Sequence, residues 1–484
     1  MQLYLSNNTG KIHVAGISLL VLCAALFAGF DSLIFLAVPF GVLFVALMFF
    51  NWKAAFWIML FFIPCSIQVW FLGDSLSTSL PDEPMMWLFL LMTIALIASK
   101  PTIIPQWFWR SPLTMIVVLQ YVWLIVTVIY SHEPFFSVKF LAAKTWFLAS
   151  FFIIPVFIFK EKKDWKKAFV LILIPTTILT LIIFYKHWQL GFSFERIQVA
   201  LRHLFYNHVD YSTFLSMVLP MLCVTFYMCR GKGLFLRMFL GGLILFYLVA
   251  INLAYARAAV LAVIFSFTIL AAIKWKLVNF IMPVFYAFIL LIVAYAANKN
   301  TFIDYRPDYT RTYMHKTFKD HIAATFKGRD MSSMERVYRW IGAIRMSADE
   351  PLKGYGPNSF YYYYKPYTVT SFVTYVSRNP ERSTTHNYFL LMLVEQGIPA
   401  MILYGILIFV FFAQAQKIYH RQQDKFYKSC TMAVAMVFAA CFVNNFFSEL
   451  IETHKIGALF YLCISLMIVL DYKSRNQFPE TEKA

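Results

Sequence analysis

The feature that most constrains this chain is a long series of apolar stretches, each long enough to cross a membrane as a helix. With 61% hydrophobic and only 14% charged residues among 484, the chain lacks the polar side chains that would cover a soluble core of this size. The sequence therefore predicts an all-α polytopic membrane protein with about 12–14 transmembrane helices. The fourteen candidate stretches are 14–30, 33–50, 54–72, 85–99, 113–130, 145–159, 168–185, 211–229, 238–254, 258–273, 277–296, 397–415, 429–447 and 455–471.

These stretches divide the chain into three predicted parts. N-terminal transmembrane helices occupy 1–297, a long polar segment occupies 298–385, and C-terminal helices with a short tail occupy 386–484. We expect the first apolar run to be retained as a span rather than cleaved as a signal peptide. The run 238–273 is interrupted only at Tyr255-Ala256-Arg257, which indicates either a tight hairpin or a count that is wrong by one helix.

The distribution of basic residues predicts the orientation in the membrane. With alternating sides, one set of short connections holds 21 Lys and Arg residues and the other set holds seven. The richer side is expected to be cytoplasmic, which places both termini inside and the 298–385 segment in the periplasm. That segment holds the remaining 14 basic residues, and long segments cross regardless of their charge. The net charge of +18 is thus a matter of membrane orientation, and we expect no nucleic-acid partner.

Cysteine and histidine spacing gives no sign of a metal site. All seven cysteines lie in or beside apolar stretches, so we expect neither disulfides nor zinc. His203, His208 and Asp210 lie near one another in the sequence, but no second cluster with ligand spacing accompanies them. We expect no metal and no cofactor.

The long segment contains a predicted helix that carries two arginines. Ser332 and Glu335 form a capping box, which predicts a helix from about Ser333 to Ala348. Its predicted apolar stripe is Val337, Ile341, Ile344 and Ala348.

Arg336, Arg339 and Trp340 project from neighbouring positions of this helix. Two guanidinium groups near a helix N-terminus suit a diphosphate, because the helix end is partly positive and each guanidinium can bind phosphate oxygens in a bidentate way. The alternative is an ordinary solvated basic face.

A histidine follows at the predicted membrane surface. His386-Asn387 precedes an apolar stretch that ends at Gly397, which predicts a helix with His386 in its first turn. The helix dipole would keep the imidazole neutral, as a general base requires. The alternative is a histidine packed against interfacial aromatic rings. Glu395 lies nine residues further on, roughly half a turn away from His386 around the predicted helix, and is expected to be structural.

Two further arginines are candidates for binding an anion. Arg257 lies within an apolar run, where a charge is costly unless it faces a polar cavity or an anion, although snorkelling to the interface is the alternative. Arg202 adds a cation in a short segment on the same predicted side.

Four stretches together resemble the bacterial O-antigen ligases and polymerases, which are multispanning transferases with a large periplasmic loop between late helices. The resemblance covers roughly residues 130 to 470. The stretches are Phe205 to Tyr211 with Leu219-Pro220, Leu253 to Ala259, Arg336 to Trp340 with Pro351 to Gly356, and His386-Asn387 with Glu395 to Gly397.

The resemblance implies a role for each matching position. His386 corresponds to the essential loop histidine of the family, and Arg257 and Arg336 correspond to arginines thought to bind the lipid diphosphate. This chain departs from the usual pattern at Tyr255-Ala256, where a Ser-Arg pair is more common. It also has His208 and Asp210 where the family has a plainer Asn-rich motif.

The implied activity is a metal-independent, inverting glycosyl transfer at the periplasmic face of the bacterial inner membrane. The donor would be an undecaprenyl-diphosphate-linked glycan and the acceptor a lipid A-core sugar or another glycan. His386 would act as the base and Arg257, Arg336, Arg339 and Arg202 would bind the diphosphate, with Asn387, Trp340 and Glu395 in support.

Other functions stay open at this point. An O-antigen or polysaccharide polymerase and a protein O-oligosaccharyltransferase would use the same machinery with another acceptor. A transporter or flippase would show broken helices in matching halves, and the prolines here have no such pattern. A metal-dependent transferase would use Asp74, Asp82 and Glu83 in the first sizeable outside loop.

Overall fold

The computed structural model describes residues 34–71, 76–297, 331–368 and 384–476, together with Ser18, Leu22 and Cys23. In this part of the chain, eleven helices are long and apolar enough to cross a membrane. The predicted all-α polytopic membrane fold is therefore confirmed. The helices are α1 (Ile34–Phe62), α2 (Asp82–Ser99), α3 (Gln106–Trp109), α4 (Pro112–Ile129), α5 (Pro134–Phe147), α6 (Pro155–Ile158), α7 (Lys162–Gln189), α8 (Ile197–Leu201), α9 (His208–Met228), α10 (Leu234–Leu253), α11 (Arg257–Lys274), α12 (Val278–Ala297), α13 (Met331–Asp349), α14 (Phe360–Tyr363), α15 (Tyr388–Arg421), α16 (Lys425–Phe446) and α17 (His454–Arg475).

Shorter elements complete the secondary structure of the described residues. A π-helical segment, Leu148–Ile153, lies between α5 and α6, so that these elements together form one span. Strands β1 (Ile67–Phe71) and β2 (Leu76–Leu80) pair antiparallel, with Ile67 opposite Leu80. The 3-10 turns are Ile63–Cys65, Pro101–Ile103, Phe194–Arg196, Lys365–Tyr367 and Leu450–Glu452.

The chain divides into two compact units, residues 1–62 and 63–484. In the first unit, α1 is interrupted at Asn51, whose backbone is non-helical and whose side chain accepts a hydrogen bond from the Ala54 amide at 3.1 Å. The helix therefore restarts at an N-cap. The predicted run 14–30 lies almost entirely outside the described residues. The predicted separate span 54–72 is wrong, because its last residues form β1 instead.

In the second unit, α17 is the most enclosed of the described spans, because 94% of the residues in its apolar stretch are buried. Phe438 of α16 stacks on Phe411 of α15 at 3.6 Å between ring centroids and on Phe460 of α17 at 5.2 Å. Helix α16 also packs extensively against α9 and α11. The last three spans thus form a common core with the helices that carry the predicted N-terminal motifs.

The uncertain run 238–273 contains two helices, α10 and α11, joined by a tight turn. Tyr255 occupies the left-handed region with φ 58°, and its hydroxyl donates a hydrogen bond to the Phe192 carbonyl at 2.5 Å. The hairpin alternative is therefore confirmed, and Arg257 is the first residue of α11.

The segment after α13 runs beside α15, and backbone hydrogen bonds join the two. The amides of Tyr355 and Gly356 donate to the carbonyls of Val394 and Glu395 at 3.0 and 2.9 Å. This approach requires glycine: a Cβ at Gly397 (φ 78°) would lie 2.0 Å from the Leu352 carbonyl oxygen. Segments 298–330 and 369–383 of the predicted polar region lie outside the described residues, and the two boundaries between the three predicted parts stay predictions.

Candidate active site

Helix α13 carries the arginines, and its observed bounds agree with the prediction to within about two residues. The predicted apolar stripe holds at Ile341, which is buried, but is wrong at Ile344, which is 46% exposed, and at Ala348, which is exposed. Arg339, outside the predicted stripe, is only 8% exposed. The buried face of α13 is therefore partly polar. The side chain of Ser332, the predicted cap, lies outside the described residues.

The arginines also lie further from the helix end than predicted. Arg336 and Arg339 fall in the second and third turns of α13, and the charge of a helix dipole acts mainly within the first turn. The Arg339 Nη1 donates to the Thr384 carbonyl at 2.9 Å. This hydrogen bond connects α13 to the segment that carries His386.

His386 precedes α15 instead of lying in its first turn, because Asn387 is the N-cap residue. The Asn387 side chain accepts from the Leu390 amide at 3.1 Å, and the Thr385 hydroxyl donates to the Asn387 carbonyl at 2.8 Å. The His386 backbone lies between Thr385 and Asn387 and is in the left-handed region, with φ 53°. Its side chain therefore points away from the course of α15.

Three consecutive residues of this segment contact the end of α16 and the connection that follows it. His386 Nδ1 lies 3.6 Å from Glu449 Oε2, and Asn387 Nδ2 donates to the Phe446 carbonyl at 3.0 Å. The Tyr388 hydroxyl donates to Glu452 Oε1 at 2.5 Å. The imidazole is therefore held beside a carboxylate by the contacts of the two residues that follow it in the sequence.

The surroundings of His386 keep its ring neutral. They lower its pKa from 6.5 to about 4, chiefly because enclosure by the protein disfavours the charged form. The Glu449 carboxylate opposes this shift by raising the pKa, while the charges of Arg339 and Arg336 lower it. The neutral imidazole agrees with the prediction, but its cause is burial and nearby cations, and not the helix dipole.

A second group of residues connects this cluster to Arg257. Arg336 interacts electrostatically with both His386 and His208, the first residue of α9. The Phe194 ring lies 6.2 Å from the His208 ring and 5.4 Å from the Tyr255 ring, and Tyr255 precedes Arg257 by two residues. The first residues of α9 and α11 therefore lie at the same end of the bundle as His386.

The other predicted residues have distinct surroundings. Arg202 is exposed after α8 and has no side-chain contact with the His386 cluster in the described ranges. Trp340 is half-buried, and its Nε1 has no hydrogen-bond partner among the residues that the structure describes. Glu395 is structural, since it accepts the amides of Asn358 and Phe360 at 2.8 and 3.2 Å.

A groove lies beside this cluster between α4, α5, α15 and α17. Its lining includes Tyr121, Lys144, Tyr388 and Met392. Lys144 donates to both oxygens of Glu452 at 3.0 and 2.8 Å, which fixes the Tyr388 side of the groove. The groove is mainly apolar and begins two residues after His386.

Two acidic residues of the metal-dependent alternative, Asp82 and Glu83, lie at the start of α2. Glu83 accepts the Ser79 amide at 2.8 Å, and Asp82 accepts the Ser79 hydroxyl. These contacts join β2 to the start of α2. Asp74 lies outside the described residues, and among those described no three His, Cys, Asp or Glu side chains are placed to hold an ion together.

Residues 242–405 match the family model described as O-antigen ligase. This segment is similar to the O-antigen ligases. The match covers about a third of the chain, and the predicted resemblance to the O-antigen ligases and polymerases is confirmed. No curated protein matches the chain.

The O-antigen ligase match includes most of the predicted site but not all of the observed cluster. Arg257, Arg336 and His386 fall within the matched segment, whereas Arg202 and Glu449 fall outside it. Glu449 was missed by the sequence analysis. Its signal was present, since Glu449 and Glu452 are two acids in a short connection between the last two apolar runs, on the predicted side of His386.

Proposed function

We propose that this protein transfers a glycan from undecaprenyl diphosphate to a hydroxyl of a lipid A-core sugar, at the periplasmic face of the inner membrane. The observation that carries the proposal is the His386 imidazole, placed 3.6 Å from Glu449 while the charges of Arg336 and Arg339 act on the same ring. A base and cations for a departing diphosphate thus lie in one cluster.

The base in this proposal is His386 Nε2. In this proposal, the 3.6 Å contact of Nδ1 with the Glu449 carboxylate shortens to a hydrogen bond when substrate binds. Nδ1 then donates its proton to Glu449, and the lone pair of the neutral ring is at Nε2. The acceptor hydroxyl gives its proton to Nε2 as its oxygen forms a bond to the anomeric carbon. The bond from that carbon to the diphosphate oxygen breaks, and its electron pair leaves with undecaprenyl diphosphate. Attack opposite the leaving group inverts the anomeric configuration.

The arginines stabilise the charge that develops on the leaving group. Guanidinium groups at fixed positions stabilise a charge that develops during the reaction most strongly when the site holds little water. Arg336 and Arg339 lie nearest to His386, and Arg257 lies at the same end of the bundle. The Trp340 Nε1 hydrogen is a further donor for a diphosphate oxygen.

In this proposal, the groove beside Tyr388 receives the first part of the donor's lipid tail. Its apolar lining between four helices suits an isoprenoid chain, and it begins next to the proposed base. No nucleotide is expected in the periplasm, so a lipid diphosphate is the activated form of the sugar in this proposal. The 21 to 7 bias of basic residues supports the orientation, with both termini in the cytoplasm.

The test is transfer by the purified protein from a carrier-linked glycan, with chelator present and with three acceptors offered separately. We expect glycosylation of lipid A-core oligosaccharide with an inverted anomeric linkage. A retained configuration, or a requirement for added metal, would overturn the mechanism.

The acceptor distinguishes the members of the family. Transfer to a second carrier-linked repeat unit would identify a polymerase, and transfer to Ser or Thr would identify a protein O-oligosaccharyltransferase. Lipopolysaccharide from a deletion strain gives an independent result: loss of all long chains is expected for the proposed ligase, whereas a cap of one repeat indicates a polymerase.

A further inference from the structure

A surface rich in tyrosine lies beside the C-terminal end of α13. We name it the tyrosine surface and define it by His132, Phe136, Tyr361, Tyr362 and Tyr363. Tyr362 is 41% exposed, and its ring stacks on Phe136 at 5.0 Å with 25° between the planes. His132 is also exposed.

The rings of this surface are held from beneath by the buried residue Tyr355. Its ring lies 5.1 Å from His132 and 5.4 Å from Tyr363. Tyr363 also donates to Glu133 Oε1 at 3.1 Å. Aromatic faces and polar groups therefore alternate on a fixed framework.

Helix α13 connects the tyrosine surface to the arginines. Tyr367 donates to Asp349, the last residue of α13, and its hydroxyl also contacts the Tyr355 hydroxyl at 2.8 Å. Asp349 follows Arg336 by 13 residues, which corresponds to about 20 Å along a helix. A chain of a few sugars extending from a diphosphate at Arg336 would cover that distance.

We propose that the tyrosine surface binds sugars of the carrier-linked glycan several residues away from the diphosphate. This inference rests on the proposed function. Aromatic faces pack against the C–H faces of pyranose rings, while hydroxyl, imidazole and carboxylate groups pair with sugar hydroxyls. The tyrosine surface supplies both in alternation, and it is joined to the arginine helix by Tyr367.

Aromatic residues also collect where helices leave a membrane. The pair Tyr185 and Trp188 near the end of α7 is of that kind, with Tyr185 56% exposed and the rings 6.0 Å apart. The tyrosine surface differs because carboxylates accompany its rings. Glu133 accepts from Tyr363, and Glu350 lies 3.8 Å from His132. Such acids favour a hydroxyl-rich ligand over lipid.

The test compares Tyr362→Ala with the matched control Tyr185→Ala, using donors that carry one sugar or several repeat units. For Tyr362→Ala we expect the KM of the long donor to rise roughly threefold to tenfold, as the loss of one stacking ring implies. The kcat, and the KM of the one-sugar donor, should stay unchanged. Tyr362→Phe should restore the wild-type KM, and Tyr185→Ala should leave both donors unaffected.

An unchanged KM for the long donor in Tyr362→Ala would overturn the inference, and so would an equal rise in both alanine variants, which indicates membrane anchoring. A second measurement separates this inference from the proposed function. Saturation-transfer NMR with the lipid-free oligosaccharide, released from the carrier by mild acid, needs no transfer. If the oligosaccharide binds more weakly to Tyr362→Ala than to the wild type, and the wild type transfers no glycan, the result supports the tyrosine surface and rejects the proposed function.

Discussion

Basic side chains lie near both ends of α15, and they differ in how tightly their partners hold them. At the end near residue 421, Arg421 Nε donates to the Ser474 hydroxyl at 2.9 Å, and its guanidinium contacts Asp471. Asp471 also lies 2.8 Å from Arg475. At the other end, His386 lies 3.6 Å from Glu449, whose Oε2 has no hydrogen-bond partner among the described residues.

This difference distinguishes a structural ion pair from a pair that can take part in catalysis. A pair with short hydrogen bonds on every side holds helices together and has little capacity left for a ligand. A looser pair in an enclosed place retains a proton acceptor and a donor for a reactant, as catalytic groups often do before substrate binds. The polar groups near Arg421 are thus expected to affect stability, and those near His386 to affect turnover.

Replacement of His386 should give the largest effect on transfer. Without a proton acceptor, His386→Ala should lose about 10²- to 10⁴-fold in kcat while expression and binding of the lipid carrier persist. The control is His420→Ala near the other end of α15, where the ring contacts the Ile273 carbonyl at 2.9 Å and the Tyr419 ring at 5.2 Å between centroids. Equal losses of kcat in the two variants, measured in the purified transfer assay, would erase the distinction between the two ends.

Arg336→Lys tests the planar grip on the diphosphate. A lysine keeps the charge but cannot form two parallel hydrogen bonds, so we expect a loss of roughly tenfold to a hundredfold in kcat/KM. Arg345→Lys, further along the same helix, should change little. Wild-type turnover of Arg336→Lys would favour the solvated basic face.

The pH profile tests the contact with Glu449. Transfer needs neutral His386, so activity should stay level from neutral pH and fall as the pH drops through about 4. Glu449→Gln removes a charge that raises this pKa, so the fall should move to lower pH. The rate on the plateau should decrease by about fivefold to tenfold, as loss of one oriented hydrogen bond implies. A fall near pH 6.5 in the wild type would contradict the enclosed ring.

The smallest effect on turnover is expected at Arg421. Because its side chain is 38% exposed, Arg421→Ala should cost only about 1 kcal/mol of stability, seen as a Tm a few degrees lower in detergent. Transfer per folded molecule should equal that of the wild type. A large loss of kcat at unchanged Tm would show that this end also serves the reaction.

Patterns within single segments were sufficient for much of this description. The apolar runs indicated the spans, and the glycines after Asp349 indicated the end of α13. The helix already begins at Met331, so Ser332 is its second residue and not its cap. The sequence also singled out His386 and Arg336, which the structure brings into one cluster. Each of these depends on residues close together in the chain, where spacing alone carries the signal.

Other features depended on partners far away in the chain. The buried face of α13 was mispredicted at Ile344, because Arg339 turns inward to reach the Thr384 carbonyl. The run ending at 72 was apolar enough for a span, but its last residues pair with β2 instead. Local hydropathy cannot distinguish a helix from a strand when the partner decides the outcome.

The sequence by itself determined that this chain spans a membrane many times and that residues 242–405 are similar to O-antigen ligases, because hydropathy and short motifs are properties of contiguous residues. Only the tertiary structure brought Glu449 within 3.6 Å of His386, across 63 residues and two spans. An imidazole acquires its tautomer and its pKa from the groups around it in space, and those groups are fixed only when α15, α16 and α17 pack together.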